Sequence, residues 1–311
     1  MKSFVLLLAL AAGLPQSSRP ETQTLVVTVT NSSGQYVQDL KQDAFIVEED
    51  GKPQLVGTFS TDPDLPISLG ILIDKSTSMR LPVAAQGREK VSAALLAANG
   101  ASRVVLRLTK PHDEFLFMAF DEKFDVRQSF TTDRKKITDL LAKNNVVGGS
   151  THLYKAVGDA LKEIRKKAKN RRRALIVITD VHDTSGDSVE ELQAFIREQE
   201  IPVYTFGMRW DAWGVPGEDA ETGKSTYEES ILRMMATHSG GYSSIVDIPD
   251  LLNDVTINRM IEFVQKVGLD LRGQYLLSYR STTPGPSALK AIRVRAVNPD
   301  YRIQLRRETA R

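Results

Sequence analysis

The chain has 311 residues, of which 41% are hydrophobic and 26% charged, the balance of a globular protein and not of a disordered one. A net charge of +2 excludes the basic field of a general nucleic-acid binder, and the absence of cysteine leaves no disulfide and no cysteine-borne lipid anchor to consider. The length accommodates one large domain or two smaller ones.

At the start, Met1-Lys2 precedes an apolar run over residues 4–12, too short to span a bilayer. A basic start, a short apolar stretch and small residues read as a secretory signal peptide over residues 1–20. A buried N-terminal helix is the alternative, but Gln16, Ser17, Ser18, Arg19 and Pro20 follow at once and favour export. The mature chain is then expected in a periplasm or secreted, without a transmembrane segment. A core of this size needs no disulfide staple there.

Residues 24–30 alternate apolar and polar side chains like a half-buried strand, and a turn follows at Asn31, Ser32, Ser33 and Gly34. Residues 45–49 read as a strand that ends at Asp50-Gly51, a hairpin signal, with 54–59 as the returning strand. Pro63 and Pro66 mark a junction. Strand-like runs then appear at 67–73, 114–120, 124–130, 174–179, 201–207 and 241–246. Helix-period segments lie between them at 82–108, 133–143, 152–169, 188–199, 226–237 and 248–266. The alternation predicts an α/β fold, a doubly wound and mostly parallel sheet flanked by helices. β character returns at 274–279, 291–297 and 301–305, around a Pro/Gly/Ser-rich turn at 281–288. Residues 21–62 and 268–311 are therefore expected to pair as a small β accessory domain beside an α/β domain at 63–267.

Asp74, Ser76 and Ser78 follow the buried run 67–73 in a D-x-S-x-S pattern. They place a carboxylate and two hydroxyls at the carboxyl end of a strand, where ligands bind in open α/β sheets. Thr151 lies in a Gly-rich loop at a helix start, and Asp180 stands at the end of the strand 174–179. If both strands are central, the five residues converge on one edge. Hard oxygens without His or Cys suit Mg²⁺, with Mn²⁺ or Ca²⁺ as alternatives. Two carboxylates leave such an ion under-neutralised, so an Asp or Glu of a protein partner would complete its shell.

These positions resemble the von Willebrand factor A domain family and its metal-ion-dependent adhesion site, over about residues 64–266. The resemblance implies a Rossmann-like fold, direct or water-mediated ligation by Ser76, Ser78 and Thr151, Asp180 acting through water, and adhesion instead of catalysis. The segments from Asp43 to Gln54 and from Gly273 to Tyr279 are similar to flanks of secreted bacterial relatives frequent in acidobacteria. The chain departs from the family at Thr77, Ser150 and Val181, where glycine is frequent; these changes bear on loop shape more than on ligand identity.

Other features have a sharper and a plainer reading. His152, His182 and Asp183 suggest a transition-metal centre or a general base, against loop histidines bonded to neighbours or solvent; no zinc-type spacing supports the former. The basic run from Lys162 to Arg173 suggests an anionic partner, against a solvated helix end with cations at its C-terminus. Trp210 and Trp213, with Gly214, Pro216 and Gly217, form either a recognition loop or a local apolar plug. No phosphate-binding glycine loop, nucleophile elbow or nucleophilic cysteine is present. The expectation is an exported protein-binding module and not an enzyme. A metal-assisted hydrolase using His152 or His182, or a structural envelope protein with a vestigial site, is the alternative.

Overall fold

A computed structural model describes residues 22–80, 83–86, 89–107, 109–180, 183–209, 224–247, 254–282 and 290–308. The expected signal peptide and the Trp210–Trp213 loop lie outside them. The first block is strand apart from a short 3₁₀ turn at Gln42–Ala44 and loops: β1 (Thr22–Thr30), β2 (Phe45–Glu49), β3 (Lys52–Gln54) and β4 (Val56–Thr61). The second opens with β5 (Ile67–Asp74), the hairpin β6 (Val83–Gln86) and β7 (Glu89–Ser92), and helix α1 (Ala93–Arg107). It continues through β8 (Glu114–Phe120), β9 (Phe124–Thr131), α2 (Arg134–Lys143), α3 (Leu153–Lys167) and β10 (Arg172–Thr179). It closes with α4 (Val189–Gln199), β11 (Val203–Arg209), α5 (Lys224–Ser239), β12 (Ser243–Asp247) and α6 (Asp254–Arg272). The last block is β13 (Tyr275–Arg280), β14 (Ile292–Ala296) and β15 (Arg302–Glu308).

The six-stranded sheet runs β12-β11-β10-β5-β8-β9. All neighbours pair in parallel except β9, which is antiparallel to β8. Every residue of β5 is buried because helices cover both faces. Period-two geometry divides its side chains: Leu69, Ile71 and Ile73 pack with α1, α2 and α6, while Leu72 packs with α3, α4 and α5. Gly70 lets α3 approach, since a Cβ there would lie 2.6 Å from Ile164 Cδ1.

The helix expected over 82–108 begins only at Ala93. Ser92 Oγ accepts the Leu95 N–H at 3.0 Å and caps it, and the residues before it pair as the β6–β7 hairpin. The strand expected at 54–59 is interrupted at Leu55, which is 87% exposed and separates β3 from β4. Asp50 and Gly51 both have positive φ, 50° and 76°, as a tight hairpin turn between β2 and β3 requires.

Segments from the two chain ends share a sheet, in the order β15-β1-β13-β4. A second sheet, β14-β2-β3, packs with it around Leu25, Val27, Val29, Phe45, Val47, Tyr275, Leu277 and Tyr279. The basic run divides in two. Lys162 and Lys167 are exposed and pair with Asp159 and Glu163, as a solvated helix end should. Arg172 departs from that reading: it opens β10 and is only 6% exposed.

Candidate functional site

Parallel pairing of β5 with β10 sets Ile73 opposite Ile178, so both strands end at the same edge. Asp74 is the last residue of β5 and is fully buried. Its Oδ1 accepts the Ser76 N–H at 2.9 Å, and its Oδ2 accepts the Thr179 hydroxyl at 2.6 Å. Ser76 is also fully buried. Its Oγ lies 3.0 Å from Ser78 Oγ, so alternate residues of the loop turn their oxygens together. The buried Met79 anchors the short 3₁₀ turn Thr77–Arg80 beneath them.

Two further loops are tied to this one. Gly148 N–H donates to the Lys75 carbonyl at 2.9 Å, and the Thr77 N–H and hydroxyl donate to the Gly149 carbonyl at 3.0 and 2.9 Å. Thr77, one of the family departures, thus supplies a bond that glycine lacks. Thr151 is 3% exposed. Its carbonyl accepts the Thr184 N–H at 2.8 Å, and its N–H donates to Thr184 Oγ1 at 2.9 Å. Asp183 accepts the Tyr154 N–H at 3.2 Å at the start of α3, which favours an anion there. His152 directs its ring toward Ser150 Oγ at 3.4 Å. Asp121 joins the group from the end of β8: it pairs with Lys75, and its carbonyl accepts the His152 N–H. Burial pushes the Asp121 carboxyl up, but the bonds from Lys75 and the Lys123 N–H outweigh it and hold the acid below its usual range.

Electrostatics connects the remaining acid. The Asp74 carboxyl is pushed up to about 7, chiefly by burial and then by the charge of Asp180; the bonds from Thr179 and Ser76 oppose this. Asp74, Ser76 and Ser78 therefore adjoin one another with Asp180 within electrostatic reach, and Thr151 sits on a loop tied to theirs. Val181 and His182 fall outside the described residues. Among the described residues no group of three or more His, Cys, Asp or Glu side chains is placed to hold a metal; the expected set relies on hydroxyls. Thr179, Thr184 and the Lys75–Asp121 pair were not singled out from sequence. Thr179 alone carried a signal, as a hydroxyl closing an otherwise apolar run.

Residues 69–182 match the family model of the von Willebrand factor type A domain. No curated protein matches the chain. Among solved structures, an aerotolerance-related membrane protein from Bacteroides fragilis is 15% identical over 64% of this chain and 99% of that one, with a TM-score of 0.44. BatB, a conserved hypothetical protein from Bacteroides thetaiotaomicron, is 18% identical over 65% and 98%, with a TM-score of 0.44. A von Willebrand factor type A structure from Catenulispora acidiphila is 15% identical over 82% and 51%, with a TM-score of 0.48. Among the described residues no helix is long and apolar enough to cross a membrane.

Proposed function

From a chain that carries a von Willebrand factor type A domain, we propose an exported, non-enzymatic binding module that captures an acidic residue of a protein partner through Mg²⁺. The observation that carries this reading is the state of Asp74: a fully buried carboxylate beside two hydroxyls, with the charge of Asp180 acting on it. A divalent cation offsets such repulsion and favours the ionised form. The donor set of Asp74, Ser76, Ser78, Thr151 and Asp180 offers only hard oxygens, which suits Mg²⁺, Mn²⁺ or Ca²⁺. These residues would hold the ion, and it would supply a positive centre for a partner's Asp or Glu. The apolar run of residues 4–12 behind Lys2 supports export. The separate core shared by strands of both chain ends supports an accessory β domain of residues 21–62 and 268–311.

The test is capture from an envelope extract in Mg²⁺ and in EDTA. A protein retained with Mg²⁺, released by EDTA and lost with the Asp74→Ala, Ser76→Ala variant is the expected result. Retention indifferent to both EDTA and the variant would overturn the proposal.

A further inference from the structure

We propose that the cleft at the amino edge of the six-stranded sheet, lined by Arg172 and Arg306, is a binding site for a small oxyanion of the phosphate or sulfate class. This edge is opposite the one that carries Asp74, and the inference is independent of the metal proposal.

Arg172 is 6% exposed, and its Nη1 donates to the Asp62 carbonyl. Among the described residues its Nε and Nη2 have no hydrogen-bond partner. Those two nitrogens share one edge of the guanidinium, the edge that grips two oxygens of a phosphate or carboxylate in parallel. A buried donor pair left open is costly. Burial, above all, lowers the hold of Arg172 on its proton; Asp62 works against this, and the Arg272 cation adds to it.

Arg306 approaches from β15 with a side chain 9% exposed. Its Nη2 bonds Asp270 Oδ2 at 2.7 Å and also the Gly240 carbonyl; the Tyr204 hydroxyl lies beside the guanidinium, and Nε and Nη1 have no hydrogen-bond partner among the described residues. The cleft encloses about 80 Å³, room for several waters or one small oxyanion. Arg171, Arg173 and Gln274 complete its polar lining, with Glu200 as the opposing acid. Arg173 is turned away, donating to the carbonyls of Asn170 and Ala168. The charge of the residues that line the cleft is positive on balance, and the buried donors without a partner among the described residues lie on two arginines from different sheets.

The test titrates the full chain with inorganic phosphate and with sulfate, against chloride at equal ionic strength, by calorimetry and thermal melting. One saturable site is expected, with a melting temperature that rises with anion concentration. Arg172→Lys keeps the charge but loses the fork, and should bind at least tenfold more weakly; Asp74→Ala should bind as the unaltered chain does. In the unaltered chain, phosphate should also slow phenylglyoxal modification of Arg172 severalfold, a readout that needs no variant to fold. A parallel titration with glycerol phosphate separates the sources: exclusion of the ester assigns a free ion, and equal binding assigns the headgroup of a larger molecule. Stabilisation no greater than chloride gives, no protection of Arg172, or unchanged affinity in Arg172→Lys would overturn the site.

Discussion

Asp74 is held between opposing forces, and their balance gives it a definite pH response. Burial and the charge of Asp180 raise its folded value to about 7 from an ordinary 3.8. A raised acid favours the neutral form in the native state. Its contribution is fully present below about 4 and is lost as the pH rises through about 7. Asp74→Asn should flatten this dependence in EDTA and raise the melting temperature at pH 7.5, by about 2–4 °C for each kcal/mol relieved. Parallel melting profiles for variant and parent between pH 5 and 7.5 would contradict it. The spacing of Asp74, Ser76 and Ser78 was readable because chemistry and strand period both act on neighbours in sequence. The bonds of Thr179 and Thr184 were hidden because they join segments distant in sequence. Arg172 was misjudged for a related reason: a run of like charges looks solvated until a strand buries one member.

Loops, not strands, decide the shape of the site. Gly149 holds φ at +81°, and a Cβ there would lie 3.2 Å from the Asp121 Cβ. Gly149→Ala should cost about 1–2 kcal/mol by urea denaturation and displace the carbonyl that anchors Thr77. An unaltered midpoint would show that the loop tolerates another conformation. The strands at 67–73 and 114–120 were legible as continuous apolar runs, since both faces of a parallel sheet are covered. The hairpin at 83–92 was not, because Val83, Ala84, Ala85 and Val91 also fit a helical pattern and Ala favours helix. The Ser92 cap decides where the helix starts.

At the scale of the whole molecule, antiparallel pairing of β1 with β13 and β15 joins the chain ends. Nearby, Glu49 is fully buried, accepts hydroxyls from Tyr279 and Ser281 at 2.6 Å, and lies 3.4 Å from Lys290 Nζ. Removing the cation leaves a buried charge, so Lys290→Met should cost about 3–5 kcal/mol. Equilibrium unfolding checks this, and a loss under about 1 kcal/mol would contradict it. Pairing between the ends was inferable from their shared β pattern. The exposed break at Leu55 was not, because its cause is lost pairing and not residue type.

The central claim is that five oxygens at the carboxyl edge hold a divalent cation. Calorimetric titration of the metal-free chain with Mg²⁺ at pH 7.5 tests it most directly, beside a folded Asp74→Ala, Ser76→Ala variant. One saturable site in the parent, absent from the variant, is the predicted result. It should stabilise the native state by about 2.7 kcal/mol at a hundredfold excess over Kd. No binding in the parent, or equal binding in both, would contradict the account.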